Sequence, residues 1–164
     1  MGLVLVHIVK FSQDKVVFLK SCFFIGHRTA SVDIIPALTK AIEQHITELN
    51  VTEFVVGGYG AFDRMAADAV IRAKIQHPTI ILTRLLPYHP AERTVILPDG
   101  FDGTFYPPGM ESIPRRLAIL AANRYMVEHV DYLIAYTQNV IGNSRNLVEY
   151  ATKKGIKVLE LCRF

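Results

Sequence analysis

A chain of 164 residues has room for one domain with one sizeable core. A composition of 51% hydrophobic and 20% charged residues excludes a disordered chain. The net charge of +3, with no run of like charges, argues against a nucleic-acid partner and leaves only local basic patches.

The N-terminal run MGLVLVHIVKF is apolar but has no basic leader and no cleavage site. It is also too short to span a bilayer. Val6 stands where a myristoylation signal needs Ser or Thr. The run reads as strand Leu3–Val9, a polar turn over Ser12–Lys15 and strand Val16–Leu19, an extra hairpin over residues 1–20. Next come a strand at Ser21–Ile25 and a helix carrying Ile35, Leu38, Ile42, Ile46 and Leu49 on one stripe, with Pro36 in its first turn. Strand Glu53–Val56 leads through a glycine cluster into a helix from Phe62 to Gln76, which His77-Pro78 ends. Thr79–Leu86 is a further strand.

Residues 87–114 hold six prolines and show no period, the mark of a functional or mobile connection. Tyr88, His89, Arg93, Phe101, Phe105 and Tyr106 within it either stack on a base or pack the loop against the sheet. Helical spacing resumes over Ile113–His129. Strand Tyr132–Tyr136, helix Ser144–Lys154 and strand Lys157–Leu161 follow. Alternating strands and helices imply an α/β domain: one doubly wound, Rossmann-like, mostly parallel sheet with helices on both faces. Cys22 and Cys162 sit in strands without metal-ligand spacing and read as core residues of a cytoplasmic protein. No metal or cofactor is indicated.

Ligands of such sheets lie beyond the carboxyl ends of the strands. Three strand-to-helix loops there carry unusual residues. In the first, Gly26 permits a tight turn beside His27, and Arg28 is either a fork for phosphate or carboxylate or a surface cation. In the second, Gly57, Gly58 and Gly60 precede Asp63, which either caps the helix or holds a ribose hydroxyl. In the third, Gly142, Asn143 and Ser144 open a helix in a way that suits an oxyanion. Glu149 in that helix is either an acid–base group or a surface charge. Together the loops point to a small molecule bearing phosphate and ribose.

The runs CFFIGHR (22–28), VVGGYGAFDRMAADAV (55–70), ANRYMVEHVDYLIAYT (122–137) and GNSRNLVEYATKKGIKV (142–158) resemble the SLOG superfamily. That superfamily joins the DprA/Smf proteins to the LOG nucleotide phosphoribohydrolases, and the resemblance is strongest to its YpsA-like branch. It covers about residues 21–161 and implies a domain beginning near Ser21. Residues 1–20 are then a lineage-specific hairpin or follow a misplaced start.

The resemblance implies a nucleotide-derived ligand lined by Gly26, His27, Arg28, Gly58, Gly60, Asp63, Gly142, Asn143 and Ser144, and a homodimer. LOG enzymes carry Gly-Gly-x-Gly-Thr-x-x-Glu after the same strand. The run Gly142–Glu149 keeps its first Gly and its Glu alone. The arginine those enzymes place four residues before Met126 is Ala122 here, with Arg124 nearby but about 200° around the helix. The leading expectation is therefore a nucleotide-binding sensor. The alternative is an N-glycosidic hydrolase using Glu149, and DprA-like DNA binding ranks third.

Overall fold

The structure, a computed structural model, describes residues 10–12, 15–17, 19–138 and 141–161. Strands β1 (Lys10–Ser12) and β2 (Lys15–Val17) pair antiparallel as a separate two-stranded sheet. The arm expected at Leu3–Val9 lies outside the described residues, as does Cys162.

The main sheet has six strands: β3 (Lys20–Gly26), β4 (Val51–Val56), β5 (Ile81–Leu85), β6 (Gly103–Phe105), β7 (Tyr132–Tyr136) and β8 (Lys157–Glu160). They lie in the order β6-β5-β4-β3-β7-β8, and every adjacent pair is parallel. Helices α1 (Ile35–Thr47), α2 (Ala61–Gln76), α3 (Ala118–His129) and α4 (Asn143–Lys153) supply the crossovers. This is the doubly wound α/β sheet that the alternation of elements implies.

Period-two alternation divides the core between the two faces. Cys22 and Phe24 of β3 meet α1 and α2 through Leu38, Ile42, Phe62 and Ala66. Phe23 and Ile25 point the other way, onto Ala122, Met126, Leu147 and Val148 of α3 and α4. Because both faces are covered, a central strand can be buried along its whole length, and all five residues of β7 are. Among the described residues no helix is long and apolar enough to cross a membrane.

The structure adds one strand to the sequence reading and shortens one helix. Strand β6 arises inside the proline-rich segment and pairs with β5 from Thr83↔Gly103 to Leu85↔Phe105. Asp102 holds it there, its carboxylate accepting from the Leu82 N–H at 2.8 Å and from the Lys74 ammonium at 2.5 Å. Helix α3 begins at Ala118 rather than Ile113, because Pro114 is extended and a 3-10 turn at Arg115–Leu117 intervenes. The aromatic residues of the segment mostly pack inward: Phe105 is buried, and Tyr88 and Tyr106 lie against the α3–α4 core.

The chain winds outward from β3 through β4, β5 and β6, then returns to place β7 on the other flank of β3. The direction of winding reverses there. A crevice opens at the carboxyl ends of β3 and β7, where loops diverge to opposite faces.

Candidate functional site

A cleft of about 300 Å³ occupies that crevice. All three glycine-bearing loops reach it. Gly26, His27 and Arg28 follow β3, Gly57, Gly60 and Asp63 follow β4, and Gly142, Asn143 and Ser144 follow β7.

Hydrogen bonds and close packing lock the first two loops together. The Ala61 N–H, first in α2, donates to the Arg28 carbonyl at 2.9 Å. Gly60 is needed for this approach, since a Cβ there would lie 2.8 Å from the Arg28 Cα. The Asp63 carboxylate turns back to accept the Tyr59 N–H at 3.0 Å, closing the glycine turn. Two amides at the entry to α2 are thus satisfied within the protein. At α4 the N-cap is Gly142, which has no side chain to offer the first amides of the helix. Of the two helix entries in the cleft, that of α4 is the better oxyanion seat, because its dipole and first N–H groups point toward it.

The third loop is held by side chains from the loop after β3 and from α4. The His27 Nε2 accepts the Gln138 N–H, which leaves the ring proton on Nδ1, and the ring meets Tyr136 edge-on. Arg145 lines the cleft, but its guanidinium is engaged, donating to Glu160 at 3.1 Å and to the Thr137 carbonyl at 2.9 Å. Arg28 is exposed and forms no ion pair with any described residue. It is the cation left for a ligand.

Burial raises the Asp63 carboxyl above the ordinary aspartate value of 3.8, against the pull of the Tyr59 N–H and of Arg84 and Arg64. An acid raised on folding contributes most below its unfolded pKa, and that contribution is lost as pH rises through the folded value. An asparagine in place of Asp63 would still accept from the Tyr59 N–H, without burying a charge. We therefore expect Asp63→Asn to be at least as stable as wild type at pH 7, with the advantage vanishing toward pH 4. Chemical denaturation at the two pH values measures this. A variant clearly less stable at pH 7 would show that the arginines outweigh burial.

Three sequence-derived candidates lie elsewhere. Gly58 sits under Arg84, whose guanidinium would be 2.2 Å from a Cβ there, and does not line the cleft. Glu149 is exposed on α4 and is absent from the cleft wall. Arg124 faces away along α3, its guanidinium carbon 4.4 Å from the centre of the Tyr150 ring. The structure contributes Tyr59, Ile119, Asn123 and Ile141 to the wall, which the sequence reading did not single out. The spacing of Ile119 and Asn123, four residues apart on α3, was the available signal for that pair. Among the described residues no cluster of three His, Cys, Asp or Glu is arranged to hold a metal.

No family model and no curated protein matches the sequence. Solved structures do. DNA processing protein A (DprA) from Streptococcus pneumoniae superimposes with a TM-score of 0.63 at 19% identity, over 87% of this chain and 50% of that one. DNA processing protein A from Helicobacter pylori, described for its mode of binding single-stranded DNA, gives 0.59 at 16% identity, over 86% and 64%. The chain spans half of the first and less than two thirds of the second. It has the Rossmann-like fold of the DprA proteins, the fold that the SLOG resemblance implies.

Proposed function

We propose that this chain is a SLOG-type domain of the YpsA-like branch that binds a nucleotide or nucleotide-derived ligand in the β3–β7 cleft, as a sensor or regulatory domain. One observation carries the reading: a single cleft at the reversal of strand order combines an α4 entry with a non-capping glycine, the unpaired cation Arg28 and the acid Asp63. The phosphate sits at the α4 amides within reach of Arg28, and Asp63 takes a ribose hydroxyl.

Hydrolysis is disfavoured by the placement of Glu149. Breaking an N-glycosidic bond needs an acid within hydrogen-bond reach of the departing base or the attacking water. Purified protein incubated with AMP, CMP, ADP-ribose and NAD under ligand-observed NMR tests both points. The expected result is line broadening of at least one ligand without release of free base, unchanged in Glu149→Gln. Absence of broadening at millimolar ligand would sink the binding reading. Free base released by wild type and lost in Glu149→Gln would establish the hydrolase.

Single-stranded DNA is the second reading. Charge that is scattered along the sequence gathers in space. Arg28, Arg64, Arg84, Arg93, Arg115 and Arg116 all occupy loops or element ends at the carboxyl edge of the sheet, interleaved with Glu92 and Glu111. The Arg93 and Arg115 guanidinium carbons lie 5.9 Å and 5.2 Å from the centre of the Tyr88 ring. Oligonucleotide binding that weakens steeply with salt, and that outcompetes AMP, would move the assignment there.

A further inference from the structure

We propose that a pocket at the amino edge of the sheet, beside the last turn of α1, binds an aliphatic α-amino acid. The pocket measures about 240 Å³ and lies at the end of the sheet opposite the β3–β7 cleft. The end of α1 contributes Gln44, His45 and Glu48 to its wall, β7 contributes Tyr132, and β8 contributes Lys157 and Leu159. Pockets for drug-sized ligands measure roughly 300–1,000 Å³, so this one suits a smaller molecule. Tyr132 begins β7 here, and Tyr136 ends it beside His27 at the cleft. Roughly 13 Å of strand, at about 3.3 Å per residue, separates the two sites.

Two buried polar side chains point to a ligand. His45 is 4% exposed and Tyr132 is 5% exposed. The His45 Nδ1 lies 2.7 Å from the Ala41 carbonyl, which can only accept, so the ring proton sits on Nδ1. Burial lowers the His45 pKa below its ordinary 6.5, outweighing that hydrogen bond, and keeps the ring neutral. Nε2 is then a bare acceptor. Neither it nor the Tyr132 hydroxyl has a hydrogen-bond partner among the described residues, although the two rings meet edge-on. Among those residues only Thr52 Oγ1 is both unpartnered and sealed from solvent, so these two groups keep an open side. The space that both residues border is this pocket. Burying an imidazole and a phenol with idle polar atoms costs stability that an apolar pair would not. A ligand that bonds them offsets that cost.

The charges around these groups define the ligand. His45 and Glu48 stand three residues apart at the end of α1 and share one face. Both are acceptors, and the carbonyls that end α1 add the negative pole of its dipole. Glu48 has no ion pair among the described residues, so the helix side calls for a cation that donates. On the strand side, the Lys157 ammonium lies 5.8 Å from the centre of the Tyr132 ring, and the Lys20 ammonium lies 5.9 Å from the same ring. Lys157 has no carboxylate partner among the described residues, so this side takes an anion. Leu49 and Leu159 supply apolar wall. Leu159 faces α1 because it pairs with Ile134, whose side chain joins the α1–α2 core. An ammonium, a carboxylate and an apolar arm in one small molecule make an aliphatic α-amino acid. A simple carboxylic acid would leave His45 and Glu48 unmatched, and a simple amine would leave Lys157 unmatched.

Isothermal titration of the full chain with L-valine, L-leucine and L-isoleucine tests this. At least one is expected to bind one-to-one at millimolar concentration or below. The matching amine and acid, for leucine 3-methylbutylamine and 4-methylpentanoate, should each bind about tenfold more weakly or worse. Lys157→Met and Glu48→Gln should each weaken amino-acid binding by about tenfold or more. Both positions are exposed, and unchanged far-UV circular dichroism confirms that the variants are folded. Arg28→Ala should bind the amino acid as wild type does, because the cleft is a separate site. No binding by any of the three amino acids, analogues that bind equally well, or variants at positions 48 and 157 that bind as wild type does would each overturn the proposal. Loss of binding in Arg28→Ala would overturn it too, by placing the amino acid in the cleft.

Discussion

Replacing Gly26 by alanine is expected to destabilise the protein by about 3 kcal/mol or more, the upper range for forcing a methyl into a packed core. The added Cβ would lie 2.3 Å from both Cγ and Cδ1 of Phe62, well inside van der Waals contact. Phe62 has nowhere to go: it is fully buried, and its ring stacks on Tyr136 with centroids 6.0 Å apart. Relief requires moving β3 away from α2, which breaks up the core on that face. For a chain of this size the melting temperature falls by roughly 2–4 °C per kcal/mol, giving a drop of about 6–12 °C in a thermal melt. Gly103→Ala is the control, because nothing lies within 4 Å of a Cβ at that position. It should stay within about 0.5 kcal/mol of wild type. Equal melting of the two variants would refute the packing account of the first loop.

The same residue shows why the main sheet was legible from the sequence. A glycine ending an apolar run has few uses other than a turn or a close approach, and the runs themselves alternate with helical stripes. Both signals are local. Strand β6 had neither. It is three residues long, Gly103–Phe105, flanked by prolines, and it exists because Asp102 reaches the Leu82 amide twenty residues away in sequence. A pairing fixed by one distant carboxylate leaves no period to read.

The site was legible as loops rather than as a list of side chains. The loops follow from topology, since strand ends on one edge of a parallel sheet converge whatever their sequence. Which residues of the following helix turn inward depends on helix phase. Leu147, Val148 and Ala151 define the buried face of α4. At roughly 100° per residue, Glu149 then falls on the opposite side. Arg124 is displaced in the same way by Ala122 and Met126, while Asn123 comes round to the cleft edge. Motif spacing alone, without the phase, could not separate these cases.

The largest functional effect is expected at Arg28. Arg28→Ala should weaken AMP binding about 10- to 100-fold, measured by titration of the free protein, while the melting temperature stays unchanged. The affinity loss corresponds to one or two charge-assisted hydrogen bonds, about 1.5–3 kcal/mol at about 1.4 kcal/mol per tenfold. Stability is spared because the Arg28 side chain is exposed and has no ion pair among the described residues. What the fold does use at this position is the backbone carbonyl, which the Ala61 N–H holds and which alanine keeps. Arg28→Lys should recover only part of the loss, because an ammonium restores the charge but not the two-pronged geometry. Arg145→Ala should behave in the opposite way. Its guanidinium joins Glu160 to the Thr137 carbonyl, so its removal should lower stability and loosen the third loop. If Arg28→Ala bound AMP as tightly as wild type, the phosphate would not be held by Arg28. The arginines around Tyr88 would then be the place to look for the anion.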